Sequence, residues 1–275
     1  MSGDADAARR HYARAGLAAH VLAALGTPDG RLSRTDLAPL DQFHVGGAPA
    51  SRKLAALALP RTGERALDVG CGLGGPARLL ADEFGVAVTA IDLMEDYCRI
   101  AAGLARRTGL DGMMRVCAAS ALALPFLPAS FTLAWTEHVA MNIADRAALY
   151  REIARVLAPG GRLAIWDVVA ATPDAPLHLP VPWARTMATS HLATAADTAA
   201  ALRGAGLVEK ANEDGGGDAL GWLDRALAAP PPAMGLREVM GDDFAGMLAN
   251  LRRNLVEGRI GFLRAVWARP EDERG

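Results

Sequence analysis

The stretch "LDVGCGLGGPARLL" sets three glycines, Gly70, Gly72 and Gly75, between an apolar run and a helical pattern. Glycine after a strand lets the backbone approach a ligand closely, because no Cβ intrudes. The amide N–H groups at the start of the following helix are then open to an acceptor. The spacing fits G-x-G-x-x-G, and Asp92 follows about 20 residues later, where a carboxylate can grip ribose hydroxyls. Dinucleotide sites and S-adenosylmethionine sites both use such an acid, so glycines and acid leave both open. Asp68 bears on the choice. A carboxylate beside the loop repels a pyrophosphate by roughly 1 kcal/mol or more at close range. It favours a cation instead, such as a ligand carrying an ammonium and a sulfonium.

These residues need rigid elements beneath them. From Arg65 onward strands and helices alternate: strand "RALDVG", helix "GGPARLLADEFG", strand "VAVTAIDL", helix "EDYCRIAAGLARRTG", strand "MMRVCAA", strand "FTLAWTE" and helix "DRAALYREIARVLA". The turn "PGG" then opens strand "RLAIWDVVA". The strands are near-continuous apolar runs rather than alternating ones, the pattern of a parallel sheet covered on both faces. The expected fold class is α/β, a doubly wound, mostly parallel sheet of seven strands with an antiparallel closing strand.

Residues 1–60 read as an N-terminal helical cap. Apolar residues recur at helical spacing from Asp4 to Leu25, "GTPDGR" breaks the chain, and "DLAPLDQFHVGGAPASRKLAALAL" mixes helical pieces with glycine and proline. Residues 61–275 form the α/β domain, with lid elements expected at 171–194 and 215–257. The first of these is proline-rich and too long for a tight connection. The second holds the turn "DGGGD", helix "ALGWLDRALAAPPP" and one long amphipathic helix, "REVMGDDFAGMLANLRRNLVEG", with Phe244, Met247, Leu248, Leu251 and Leu255 on one stripe. Helix "TAADTAAALRGAG" and strand "LVEKANE" lie between the two, and "RIGFLRAVWARP" closes the sheet.

Composition narrows the ligand. A formal net charge of -2 without a basic run gives no footprint for nucleic acid or an anionic membrane. No stretch reaches the roughly 18 apolar residues of a membrane span, and the N-terminus lacks a signal-peptide core. Cys71, Cys98 and Cys117 form no C-x-x-C pair, so neither a closed disulfide framework nor a zinc site is expected. Reduced buried thiols point to a cytoplasmic protein. The expected partner is a small molecule, with a homodimer possible. No second acid clusters with Asp167, so no metal is expected.

Further segments carry a family resemblance. "LDVGCGLGG", "IDL", "LALPF", "SFTLAWTEHV" and "REIARVLAPGGRLAIWDV" stand in the order and spacing of class I S-adenosylmethionine-dependent methyltransferases. The resemblance is firm over residues 66–169. The flanks "LAPLDQFHVGG", "EHVAMNI", "LPVPWA" and "MGDDFAGMLANL" resemble the small-molecule branch that includes sarcosine/dimethylglycine N-methyltransferases, close to ubiquinone-pathway, tocopherol and sterol C-methyltransferases. The resemblance implies that Asp68, Gly70, Gly72 and Gly74, with Cys71 among them, line the methionine and ribose end. It implies that Asp92 binds ribose hydroxyls and that Leu93 lies against adenine. Where the family often caps the adenine amine with Asp, this chain has Ser120, followed by Ala121. Thr136, Glu137 and His138 end the fourth strand, where the transferable methyl group sits.

Methyl transfer is an in-line displacement at a sulfonium carbon, and a neutral thioether leaves without help from an acid. Catalysis is then mostly proximity and desolvation. A base is needed only when the nucleophile must lose a proton. His138 and His44 are the candidate catalytic groups, and Gln42 beside His44 is a candidate for the methionine carboxylate. Tyr12, Met141, Asn142, His178 and Trp183 are candidates for the substrate wall, and Arg185 for a substrate carboxylate. "TEHV" stands where amino-methyltransferases of nucleobases carry Asn/Asp-Pro-Pro-aromatic. The expectation is S-adenosylmethionine-dependent methyl transfer to an amine or amino-acid nitrogen, with C- or O-transfer to a natural-product intermediate as the alternative. Two rivals are a nicotinamide-dependent oxidoreductase and a member that binds the cofactor without transferring methyl.

Overall fold

Apolar residues at both parities of a strand need cover on both faces, and the chain supplies it with helices on each side. The computed structural model describes residues 3–25, 30–232 and 234–272. The break expected at residues 26–31 falls mostly on residues 26–29, outside the described ones. The strands are β1 (Arg65–Val69), β2 (Ala87–Asp92), β3 (Met114–Ala118), β4 (Phe131–Glu137), β5 (Leu157–Ala170), β6 (Val208–Asp214) and β7 (Ile260–Ala268). They form one seven-stranded sheet in the order β3-β2-β1-β4-β5-β7-β6. All neighbours from β3 to β5 pair parallel, and β7 runs antiparallel to both β5 and β6. This is the doubly wound, mostly parallel sheet expected of a Rossmann-like methyltransferase fold.

Alternate residues feed opposite layers, as the pleat dictates. Leu133 and Trp135 of β4, with Ala164 and Trp166 of β5, enter one core. Ala134, Leu163 and Ile165 enter the other. Helices α1 (Gly3–Tyr12), α2 (Leu17–Ala24), α3 (Arg34–Asp41) and α4 (Gly47–Ala58) precede the sheet, and α5 (Gly75–Phe84), α6 (Glu95–Arg107) and α7 (Arg146–Val156) alternate with its strands. Helix α8 (Ala195–Gly204) precedes β6, and α9 (Gly216–Ala228), α10 (Leu236–Met240) and α11 (Phe244–Val256) lie between β6 and β7. A third core joins the cap to the sheet layer: Leu17, Val21, Leu37 and Leu40 pack on Tyr97, Ile100 and Leu104 of α6.

Three local readings differ from the structure. The helical pattern of residues 4–25 is two helices, because Gly16 takes φ +70° ahead of α2. The long helix expected over 237–258 is also two, meeting at Gly241 with φ +106°. The "PGG" turn does not precede β5 but lies inside it as a bulge. Phe131 pairs with Leu157 and Leu133 with Arg162, so β5 spends three extra residues there.

The strand order reverses between β1 and β4. In open α/β sheets, ligands bind outside the carboxyl ends of the strands at such a switch point. Gly70 follows β1, and Glu137 and His138 end β4, so the chemistry-bearing segments meet there.

Candidate active site

The loop after β1 is shaped by positive φ at Gly70, Gly72 and Gly74. Two of these positions tolerate no side chain. A Cβ at Gly70 would stand 2.6 Å from Val139 Cγ2, and one at Gly74 would stand 2.7 Å from Met114 Cε. The backbone N–H groups of Gly70 and Cys71 donate to the Ile91 carbonyl at 2.8 and 2.9 Å, which ties the loop to the end of β2. Asp92 completes the cradle. Its two carboxylate oxygens accept from Gly72 N and Met94 N, each at 2.9 Å. Burial pushes the Asp92 carboxyl up to about 6 against these backbone donors.

Above this cradle lies a cavity lined by most of the sequence-predicted residues. Gly70, Gly72, Asp92, Leu93, Ser120, Ala121, Glu137 and His138 are among them. His44, Tyr12, Met141, Asn142 and Trp183 line it as well. Tyr12 donates to Asn142 Oδ1 at 3.1 Å, joining the first helix to the segment after β4. Trp183 is buried and donates to Ser190 Oγ at 2.9 Å. Ser120 Oγ accepts from Leu122 N at 3.2 Å, leaving its O–H as a donor.

Other predicted residues stand behind the wall or away from it. Asp68 is 2% exposed and absent from the cavity lining. Burial raises its carboxyl well above the usual range, reinforced by Glu137 and Asp92. A carboxyl held toward its neutral form repels an anion less than the sequence argument assumed. Cys71 and Gly74 belong to the loop but do not line the cavity, and Thr136 donates toward the Ala164 carbonyl of β5, at 3.5 Å. Gln42 is buried against Asp41, to which it donates at 3.0 Å, rather than lining the cavity. His178 lies apart: Glu257 holds its Nε2 at 2.7 Å and its backbone N–H donates to Asn254, which fixes it near the end of α11. Arg185 pairs with Asp243 at 2.6 Å on the surface. Asp167 accepts from Ala140 N and Val168 N, so it organises backbone. Among the described residues no group of three or more His, Cys, Asp or Glu could hold a metal ion, and no helix is long and apolar enough to cross a membrane.

Two features escaped the sequence. One is the apolar far wall, where Trp222, Met240, Phe244, Leu248 and Leu251 join Trp183. The Phe244, Leu248 and Leu251 stripe fell in the expected lid segment 215–257, but none of its residues was singled out for the cavity wall. The other is Ser51 of α4, which donates to Glu137 Oε2 at 3.0 Å and lies 3.2 Å from His44 Nε2. No spacing connects residues 44, 51 and 137.

His138 takes φ +57°, uncommon for a residue with a Cβ, and its backbone N–H donates to the Trp166 carbonyl at 2.8 Å. Its ring lies between those of His44 and Phe262, at 6.2 and 5.8 Å, and its Nε2 is shut from solvent with no partner. Burial pushes the imidazole well below its ordinary value, with His44 adding to the effect. His44 is pushed down to about 4, also by burial. Both rings are neutral near pH 7. Among the described residues no lysine or arginine lines the cavity.

The cradle fits S-adenosylmethionine on its own terms. A Cβ at Gly70 or Gly74 would crowd its loop, Asp92 lines the cavity beside the loop, and the buried Oε1 of Glu137 on the same wall has no partner. Residues 67–165 match a family described as a methyltransferase domain. Over this segment the fold and the match are those of a methyltransferase domain. In particular, the chain is 39% identical over 107 residues to methyltransferase GfsG of Streptomyces halstedii, spanning 39% of this chain and 38% of that protein. It is 34% identical over 164 residues to the 27-O-demethylrifamycin SV methyltransferase of Amycolatopsis mediterranei, spanning 59% of this chain and 60% of the relative. The chain thus matches between about a third and three fifths of these relatives' lengths. Among solved structures, the [4+2]-cyclase SpnF aligns with a TM-score of 0.66 at 25% identity, over 81% of this chain and 80% of that one. A geranyl diphosphate C-methyltransferase from Streptomyces coelicolor aligns with a TM-score of 0.71 at 17% identity, over 98% of this chain and 99% of that one.

Proposed function

We propose that this protein transfers the methyl group of S-adenosylmethionine to a hydroxyl oxygen of an apolar small molecule, with His138 as general base. The observation that carries this reading is a neutral imidazole in an apolar cavity without a lysine or arginine on its wall. A hydroxyl must shed its proton as the C–O bond forms, whereas a neutral amine attacks with its lone pair unaided. The oxygen becomes strongly acidic as it gains the methyl, so even a weakly basic imidazole accepts the proton. The cofactor supplies the electrophilic methyl. Asp92 would hold its ribose and the loop from Gly70 its methionine end, while Trp183, Trp222 and Phe244 wall the cavity against water.

The amino-acid nitrogen expected from the flanking resemblance loses support, since a substrate carboxylate would find no cationic partner among the described wall residues. The 27-O-demethylrifamycin SV methyltransferase, an O-methyltransferase by name, agrees with the oxygen reading. The test is a methyl-transfer screen of apolar phenols, alcohols and amines with mass detection, run on the wild type and on His138→Ala. The expected result is methyl on oxygen and a loss of 100-fold or more in the variant, the order of general-base catalysis. Methyl on nitrogen, undiminished in His138→Ala, would overturn the assignment.

A further inference from the structure

Glu137 lines the cavity wall, held by Ser51 of the cap and favoured as a carboxylate by the indole N–H of Trp135 on its own strand. Its side chain is 2% exposed. Ser51 of α4 donates to Oε2 at 3.0 Å, and His44 Nδ1 lies 3.5 Å from the same oxygen. The Gly47 carbonyl, 2.9 Å from His44 Nε2, fixes the ring proton on that nitrogen and leaves Nδ1 as an acceptor toward Glu137. Oε1 is buried with no partner. A carboxylate placed like this lacks a countercharge, and a carboxylic acid placed like this has an acceptor at Nδ1.

The surrounding charges do not supply that countercharge. Asp68 of β1 faces Glu137 with like sign. Arg264 of β7 favours the carboxylate, but its guanidinium stacks on Trp166 at 4.8 Å and is already paired with Glu213 and Asp218 at 3.2 and 3.0 Å. His44 and His138 are neutral rings.

We propose that Glu137, held by Ser51 beside His44, distinguishes the charged cofactor from its spent form by giving up its carboxyl proton to solvent when a sulfonium enters the cavity and taking it back when the sulfonium is lost. This rests on the cavity being the S-adenosylmethionine site. S-adenosylmethionine and S-adenosylhomocysteine share ammonium, carboxylate and nucleoside, and differ by the methyl and one positive charge. An acid that ionises only for the sulfonium favours the loaded cofactor and loosens its hold on the product. The proton passes to bulk buffer base on binding and returns from bulk acid after transfer, so nothing is oxidised or reduced. Burial places the Glu137 carboxyl at about 8, so it is mostly protonated at pH 7 while the cavity holds no cation.

The experiment is calorimetric titration of the full chain with S-adenosylmethionine and, separately, S-adenosylhomocysteine, at pH 7 in phosphate and in Tris. The difference in heat between the buffers counts protons. The expected result is close to one proton released for S-adenosylmethionine and markedly fewer for S-adenosylhomocysteine. In Glu137→Gln the excess proton disappears, and the preference for the charged ligand falls by about tenfold, the factor one unit of pKa represents. Ser51→Ala, which keeps the carboxyl and removes its donor, shifts the release to higher pH and guards against misfolding of the first variant. Equal proton counts for the two ligands, or an unchanged count in a folded Glu137→Gln, would overturn the proposal while leaving the cofactor site intact. If neither ligand bound the wild type, the cofactor reading itself would fall, and this inference with it.

Discussion

At the scale of single residues, the site separates groups that touch the cavity from groups that shape it. His138 reaches the cavity because β4 ends in a left-handed residue. Such a conformation is tolerated where the surroundings over-determine it, and here the Trp166 carbonyl and the rings of Trp166 and Phe262 do so. The depressed imidazole has a kinetic consequence. A base works in its deprotonated form, so the acid limb of kcat/KM should lie below the value of about 6.5 for a free histidine. We expect the profile for the acceptor, taken at saturating S-adenosylmethionine, to stay level from pH 7.5 down past pH 6. An acid limb with its midpoint at or above 6.5 would mean that another group limits the rate. The sequence exposed His138 through its place after "FTLAWTE", since a strand end beside the glycine loop is where an α/β sheet does its chemistry. It could not show that Asp68 stays off the cavity lining, because one carboxylate at a strand end looks like another until the pleat is built.

At the scale of elements, the strands were legible because a doubly covered sheet writes continuous apolar runs, and Leu133, Ala134 and Trp135 show the pattern in three successive residues. The helix breaks were less so. Gly16 and Gly241 sit inside good amphipathic patterns, and only their positive φ separates the helices. Gly215 was read as part of a flexible turn, yet a Cβ there would collide with the Trp166 ring. Its need is set by a partner 49 positions away by number, beyond the reach of any local pattern. The join between cap and glycine loop is likewise tertiary. Arg78 of α5 is fully buried and donates to Asp41 at the end of α3 and, at 2.8 Å, to the Leu73 carbonyl of the loop. Removing one partner strands the other charge in the interior. Asp41→Ala should therefore cost about 3–5 kcal/mol in urea unfolding. It should also weaken S-adenosylmethionine binding, because the loop loses its anchor. A loss under about 1 kcal/mol would show that water reaches Arg78 and that the pair is not a structural clamp.

At the scale of the whole molecule, the buried titratable groups couple folding to pH through opposite slopes. Glu137 is raised to about 8 and Asp92 and Asp167 to about 6, all by burial. In the unfolded chain these acids ionise near pH 4. A raised acid keeps its full stabilising effect below its unfolded value and loses it as pH climbs through the folded one. His44, lowered to about 4, behaves in reverse: its contribution is present above about 6.5 and lost as pH falls. The two trends oppose each other between pH 4 and 6.5, but above 6.5 only the raised acids remain in play, Glu137 and, raised in the same direction by burial, Asp68. Without ligand, stability should fall between pH 6.5 and 8, by on the order of 1–2 kcal/mol from Glu137 alone. That corresponds to a few degrees of Tm in a chain of this size. Saturating S-adenosylmethionine should offset the fall, because the cation stabilises the ionised carboxyl that burial disfavours. Glu137→Gln should flatten the ligand-free curve and raise Tm at pH 8 relative to wild type. Thermal melts at pH 6.5, 7.2 and 8, with and without ligand, decide the matter. A wild-type Tm that rises across this range would mean that the acid at the centre of the cavity is already ionised before any cation arrives.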